Sequence, residues 1–263
     1  MTSNTAVSAV AIDTATELLS IALVGGKTGT QRRFVHQADA GLQHGSNLLP
    51  AVQWLLGRAG ITAAELELIV CCDGPGSFTG LRIGMATAKG LAVAARAPLV
   101  VVPTLDALAW PHREWPGMIV AAIDARKQRL YCALYRKERK LSDDLDLGPK
   151  RLNDLIETTA MPDEPILVTG PAAPQLCDFF SSGTGDNSGE SSADRATRQR
   201  VGARVRCDPA ARSGAAVGLL ELGLARARRG EYAAENHGPH YVRISDAEIG
   251  ITAPRQTGPR QTG

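Results

Sequence analysis

The chain has 263 residues, of which 44% are hydrophobic but only 4% aromatic. That length allows one large domain or two smaller ones, with a core resting on Ala, Val, Leu and Ile rather than on rings. With 29 Lys and Arg against 27 Asp and Glu, the near-balanced charge argues against a dedicated nucleic-acid binder, which carries a marked basic excess.

The elements alternate from the start. Ala9–Asp13 predicts a strand ending on an acid, and residues 18–24 a second strand after the short turn 14–17. Gly25, Gly26 and Gly29 signal a turn, and 31–36 a third strand. Residues 46–57 show helical spacing through Leu48, Leu49, Val52, Leu55 and Leu56, with Ser46 as N-cap and Gly57 as stop. A strand at 66–72, a glycine-rich turn, a helix at 81–95, a strand at 99–102 and a helix at 105–110 follow.

Near Pro111 the pattern restarts. Residues 118–124 are again an apolar strand ending on an acid, and 129–135 a second strand after a short turn. A helix at 151–158, a strand at 166–169 and helices at 172–180 and 210–229 complete the series. Two copies of strand–turn–strand, with Asp13 and Asp124 closing the first strand of each, predict two similar α/β domains, 1–110 and 111–230, then a tail, 231–263. Residues 181–200 read as a disordered insertion, because 181–192 hold no large apolar side chain to offset ordering entropy. The tail ends in a direct repeat, Pro-Arg-Gln-Thr-Gly, at 254–258 and 259–263, also read as disordered.

The stretch with most chemical content is Asp73-Gly74-Pro75-Gly76-Ser77-Phe78-Thr79-Gly80-Leu81-Arg82-Ile83-Gly84. A P-loop needs Lys after its last glycine, but Leu81 follows Gly80 and Lys89 lies within the helix. A dinucleotide fingerprint fails by one residue of spacing. Two readings stay open: an anion or nucleotide contact at the helix start, through Asp13, Gly76, Ser77 and Thr79, or a structural turn capped by Ser or Thr. Gly80, Gly84, Ala88 and Ala92 recur every fourth residue and form a ridge that another backbone can approach, either this chain's own sheet or a partner helix.

No nucleophile elbow, HExxH or HxxxH pattern is present, so no catalytic residue and no metal ligand is assigned. The five cysteines contain no CxxC pair and are expected as buried reduced thiols of a cytoplasmic protein. No secretory leader pattern is read, and no apolar run nears the ~20 residues needed to cross a bilayer, so no membrane partner is expected.

The residues Ile12-Asp13-Thr14, the long glycine motif continuing through Ala88-Lys89-Gly90-Leu91-Ala92, Asp124-Ala125-Arg126 and Pro239-His240-Tyr241-Val242-Arg243 resemble the bacterial TsaB (YeaZ) family. The resemblance is strongest over residues 10–135. It implies the actin-like ATPase fold, with two RNase-H-like domains. It also implies a non-catalytic partner of the TsaD-like subunit that transfers threonylcarbamoyl to N6 of adenosine 37 in tRNAs reading codons beginning with A. A TsaE-like ATPase would join the complex, tRNA would be met through it, and a second copy of the chain is an alternative partner. The partner interface implied on this chain comprises Gly80, Gly84, Ala88, Ala92, Leu48 and Val52. No cofactor is expected to bind this chain strongly, with ATP or ADP confined to the complex. The alternative is an active ATPase or glycoprotease-like hydrolase of the same fold. Against it, only His44 stands where the catalytic relative has paired metal-binding histidines.

Overall fold

A computed structural model describes residues 7–26, 31–41, 43–182 and 191–242. Strands β1 (Ala9–Asp13), β2 (Leu18–Gly25) and β3 (Arg32–Asp39) precede helix α1 (His44–Ala59). Then come β4 (Leu68–Cys72), α2 (Phe78–Ala95), β5 (Leu99–Val102) and α3 (Thr104–Ala109). The second half repeats the scheme with β6 (Met118–Asp124), β7 (Leu130–Arg136), the short β8 (Arg139–Lys140) and β9 (Leu145–Leu147), and α4 (Pro149–Thr159). It ends with β10 (Ile166–Thr169), α5 (Ala173–Ser182), α6 (Ser192–Arg204), β11 (Val205–Cys207) and α7 (Ala216–Arg228).

The first sheet has the order β3-β2-β1-β4-β5 and the second β8-β7-β6-β10-β11. In each, the opening strands form an antiparallel hairpin and the later two run parallel to the first. Both halves are therefore RNase-H-like, and together they form the actin-like ATPase fold.

Strand periodicity divides the core into three layers. In β1, Ala9 and Ala11 face one side and Val10 and Ile12 the other; in β4, Leu68, Val70 and Cys72 alternate with Ile69 and Cys71. The layer of Val10, Ile12, Ile69 and Cys71 packs under α1 and α2. The opposite layer meets α3 and α7, and through them Ile119, Ala121 and Ile123 of β6, so a single core joins the halves. The remaining face of the second sheet is covered by α4, α5 and α6.

Helix α7, last in sequence, lies against β1, β2, β4 and β5 of the first sheet as well as α3. Its small residues make this possible. A Cβ at Gly218 would overlap the Ala107 carbonyl, and one at Gly223 the Val70 side chain. The scarcity of rings is matched by close backbone approach through Ala and Gly.

Several expectations need correction. Residues 192–200 of the region read as disordered lie in α6, which is opened by a capping box in which Ser191 Oγ accepts from Asp194 N (3.2 Å) and the Asp194 carboxylate accepts from Ser191 N (3.2 Å). Residues 183–190 and the repeated tail lie outside the described residues. Cys71, Cys72 and Cys132 are buried thiols, but Cys177 and Cys207 form a disulfide, Cα atoms 6.2 Å apart. Parallel pairing of β11 with β10, just ahead of α5, brings these two together. Helix α1 runs past Gly57 to a left-handed Gly60 (φ 70°), the conformation that suits a helix stop. Gly57 itself stays within the helix.

Candidate functional site

Two features could act on other molecules: a cleft between the halves and the outer face of α1 and α2. The cleft has a volume of about 560 Å³. The β1–β2 turn and the β6–β7 turn line it, joined by Pro75–Phe78, Pro171–Ala172 and His240–Val242.

The two turns are related in sequence but not in chemistry. Asp13 is fully buried. Its Oδ1 accepts from Ala15 N (3.0 Å) and from Cys72 Sγ (3.5 Å), and its Oδ2 accepts from Ala215 N (2.8 Å) at the start of α7. Burial pushes its pKa up, opposed by the hydrogen bonds from Ala15 and Ala215. Asp13 thus pins α7 to the first sheet and does not line the cleft, which corrects its assignment as an anion or nucleotide contact. Asp124 is exposed and accepts from Arg126 N (2.8 Å). Arg126, Lys127 and Gln128 all take left-handed backbone conformations (φ 63°, 53° and 57°). From this tip the Arg126 guanidinium crosses the cleft to Glu17 at 2.6 Å. Both side chains are well exposed, so the pair marks the closed geometry more than it stabilises it.

The glycine turn is occupied by its own chain. Ser77 N donates to Ala15 O (2.6 Å), Thr104 N to Gly74 O (2.7 Å) and Gly80 N to Ser77 Oγ (3.3 Å). Gly76 lies against Ala15, where a Cβ would come within 2.7 Å of the Ala15 Cβ. Gly80 and Gly84 lie against Thr14, whose Oγ1 donates to Gly80 O at 2.8 Å. An anion at this helix start would have to displace these contacts. Of the residues suggested for it, Gly76 and Ser77 do line the cleft, while Thr79 is exposed at the start of α2.

The ridge read as a partner interface points inward. Gly80, Gly84 and Ala88 are buried, and Ala92 packs half-buried against the same core. Leu48 and Val52, on the inner side of α1, are only 1% exposed. This corrects the interface assignment, and the cause is the close seating of α2 on the β1–β2 turn. The outward stripe of α2 is instead Ala86, Gly90 and Val93, spaced four and three apart. Val93 is 80% exposed, and on neighbouring α1 Leu49 and Trp54 are 49% and 57% exposed. Gly57 and Gly90 are exposed helical glycines with open space where a side chain would stand.

A family model described as TsaD, tRNA N6-adenosine threonylcarbamoyltransferase, matches residues 31–186. A Bacillus subtilis protein named tRNA threonylcarbamoyladenosine biosynthesis protein TsaB is 33% identical over 161 residues, 61% of this chain and 69% of the relative. The chain belongs to the TsaB (YeaZ) family. An Escherichia coli protein of the same name is 37% identical over 131 residues, 49% of this chain, and the match spans about half (54%) of that relative's length. Among solved structures, YeaZ from Pseudomonas aeruginosa superposes with a TM-score of 0.66 at 26% identity, covering 90% of this chain and 100% of that one.

Placed in the TsaB family, the chain shows where sequence reasoning lost the outer face. Helix α2 carries small residues on two stripes, 80/84/88/92 and 86/90/93, and spacing alone does not say which one meets the sheet. The β1–β2 turn held the missing signal: a buried turn residue, Thr14, needs glycine opposite it. The segment ending in His240, Tyr241 and Val242 also reaches the cleft, although the sequence suggested only a tail.

Proposed function

We propose that this TsaB-family chain is a partner subunit in tRNA threonylcarbamoyladenosine biosynthesis, docking a TsaD-like catalytic subunit through the outer faces of α1 and α2. The observation that carries the reading is that α1 and α2 each leave apolar side chains in solvent, Leu49 and Trp54 on the one and Val93 on the other, and each carries an exposed glycine with open space around it. A face of this kind, on two packed helices, suits a helix pair from a related subunit. The TsaE-like ATPase and tRNA would be engaged only by the assembled complex, and ATP or ADP would enter there. In support, the Ser77 and Gly80 amides of the glycine turn are taken up by Ala15 O and Ser77 Oγ, and Asp13 holds backbone rather than a ligand.

Co-expression with a TsaD-like subunit tests this. A stable heterodimer that needs Trp54 and Val93, and tRNA modification that depends on adding this chain, are the expected results. Separate elution of the two proteins would sink the reading. The cleft favours a second reading, an ATPase or hydrolase. That reading requires the isolated chain to bind ATP in a calorimeter, and the absence of any heat change would remove it.

A further inference from the structure

Residues 231–242, which follow α7, form neither helix nor strand, and none of them is buried. They are nonetheless held along their length. Ala233 N donates to Leu99 O (2.8 Å) on the open edge of β5, where Arg226 Nη1 also covers Val101 O (2.6 Å). Lys89 Nζ of α2 donates to Glu235 O (2.9 Å). The His237 ring nitrogen Nε2 meets Asp73 Oδ2 at 3.1 Å, and His240 N donates to Asp73 O at 2.5 Å. The Tyr241 ring lies 4.8 Å from that of Phe78, and its hydroxyl accepts from Arg82 Nε (3.1 Å), whose guanidinium stacks 3.7 Å over Phe78.

The glycine motif is shaped to this segment. Gly74 takes φ 123°, which L side chains rarely adopt, and a Cβ there would overlap the His240 carbonyl oxygen. Asp73 is 8% exposed, and its Oδ1 has no hydrogen-bond partner. An orphaned carboxylate oxygen beneath a segment with no buried residue lowers the cost of opening that segment: the carboxylate gains water, and Tyr241 is the apolar side chain that leaves the core.

We propose that residues 231–242 are a latch whose local opening frees Asp73–Gly74 and the first turn of α2, and with them the Pro75–Phe78 wall of the cleft. Seated, the latch clamps α2 along Phe78, Arg82 and Lys89 and holds the helix at the angle its outer face requires. The consequence for docking rests on the function proposed above; the latch itself does not.

Hydrogen exchange on the full chain tests it, with His237→Ala and Tyr241→Ala each weakening one anchor. Removing a hydrogen bond to a charged group is expected to speed exchange of the Ala233 and His240 amides, which donate to Leu99 O and Asp73 O, by about ten- to a hundredfold, while amides of β1, β4 and α7 keep their wild-type rates. Gly74→Ala blocks seating from the other side and should reproduce that pattern. Unchanged exchange at Ala233 and His240 in both anchor variants would overturn the latch, as would equal acceleration throughout the chain, which would make the segment part of the global fold. In the same variants, weaker binding to a TsaD-like subunit would tie the latch to docking. If the wild-type chain binds no such subunit, the proposed function fails, while the exchange pattern still decides the latch.

Discussion

Replacing glycines on opposite sides of α2 separates internal packing from docking. Gly84→Ala drives a methyl group onto Thr14 Oγ1, a fully buried hydroxyl that donates to Gly80 O at 2.8 Å. Either Thr14 rotates and leaves its buried hydroxyl without an acceptor, or α2 lifts from the turn. Overpacking costs about 1–3 kcal/mol and the orphaned group a similar amount, against about 1 kcal/mol gained by removing a helical glycine. The net expectation is a loss of about 1–5 kcal/mol in the free chain. Gly90→Ala meets open space and should keep the helical gain of about 1 kcal/mol. Gly90→Leu should fold as stably as wild type but, on the proposed docking face, bind a TsaD-like subunit at least about tenfold more weakly, because its side chain stands on that face. Urea denaturation followed by circular dichroism, with calorimetric titration of the partner, measures both effects. If Gly84→Ala is as stable as wild type, α2 is not seated on Thr14. If Gly90→Leu binds normally, the outer stripe is not the docking face.

Three further predictions address stability. The Glu164 carboxylate accepts from Arg136 Nε (2.6 Å) and Nη2 (2.8 Å), and this pairing holds its pKa below the usual glutamate value. The stability it contributes is present above about pH 4.3 and is lost as pH falls through the lower folded value. Glu164→Gln should therefore cost about 1–3 kcal/mol at neutral pH and progressively less in acid, and a cost that does not change with pH contradicts the pairing. Asp13 has the opposite sign: burial raises its pKa, so its contribution is present at low pH and is lost as pH rises through the folded value. The stability deficit of Asp13→Asn should therefore shrink between about pH 4 and pH 7, and denaturation midpoints that diverge as pH rises would refute this. The Cys177–Cys207 disulfide closes a separation of 30 residues. Cys177→Ser should lower stability by about 3–4 kcal/mol in oxidising buffer on the chain-entropy account, and the gap should vanish when a reductant is added to wild type.

The alternating layers were legible because strand burial has period two. The apolar runs at 9–13, 66–72 and 118–124 all lie in central strands, and the repeated hairpin with its terminal Asp announced two similar halves. Helix α6 was not legible: its sequence, Ser-Ala-Asp-Arg-Ala-Thr-Arg-Gln-Arg-Val-Gly-Ala-Arg, carries no apolar stripe. Only Val201 and the Arg198 side chain are buried, and its start depends on the Ser191 cap. The disulfide was invisible because the separation of Cys177 from Cys207 matches no motif, and only the pairing of β11 on β10 brings them together. The cleft was half legible. Asp13 and Asp124 occupy the same place in the repeat, yet Ala215 reaches one and solvent the other, a difference set by a helix two hundred residues downstream.

The glycine motif itself does not argue for a ligand. Each of its four glycines has a different internal neighbour: His240 at Gly74, Ala15 at Gly76, and the Thr14 carbonyl and hydroxyl at Gly80 and Gly84. A sequence under no pressure from any partner would still need all four: Gly74 for its φ of 123°, and the others because a Cβ there meets Ala15, the Thr14 carbonyl or its buried hydroxyl. Evidence for a partner has to come from residues the fold does not require. Gly90 is one: it sits inside an exposed helix with nothing near it, and replacing it with alanine should make the isolated chain more stable by about 1 kcal/mol. Val93 and Trp54, 80% and 57% exposed, likewise leave apolar surface in water that polar residues at the same positions would avoid. On the proposed function, a second backbone pressed onto this face would account for the glycine and for the exposed apolar residues together.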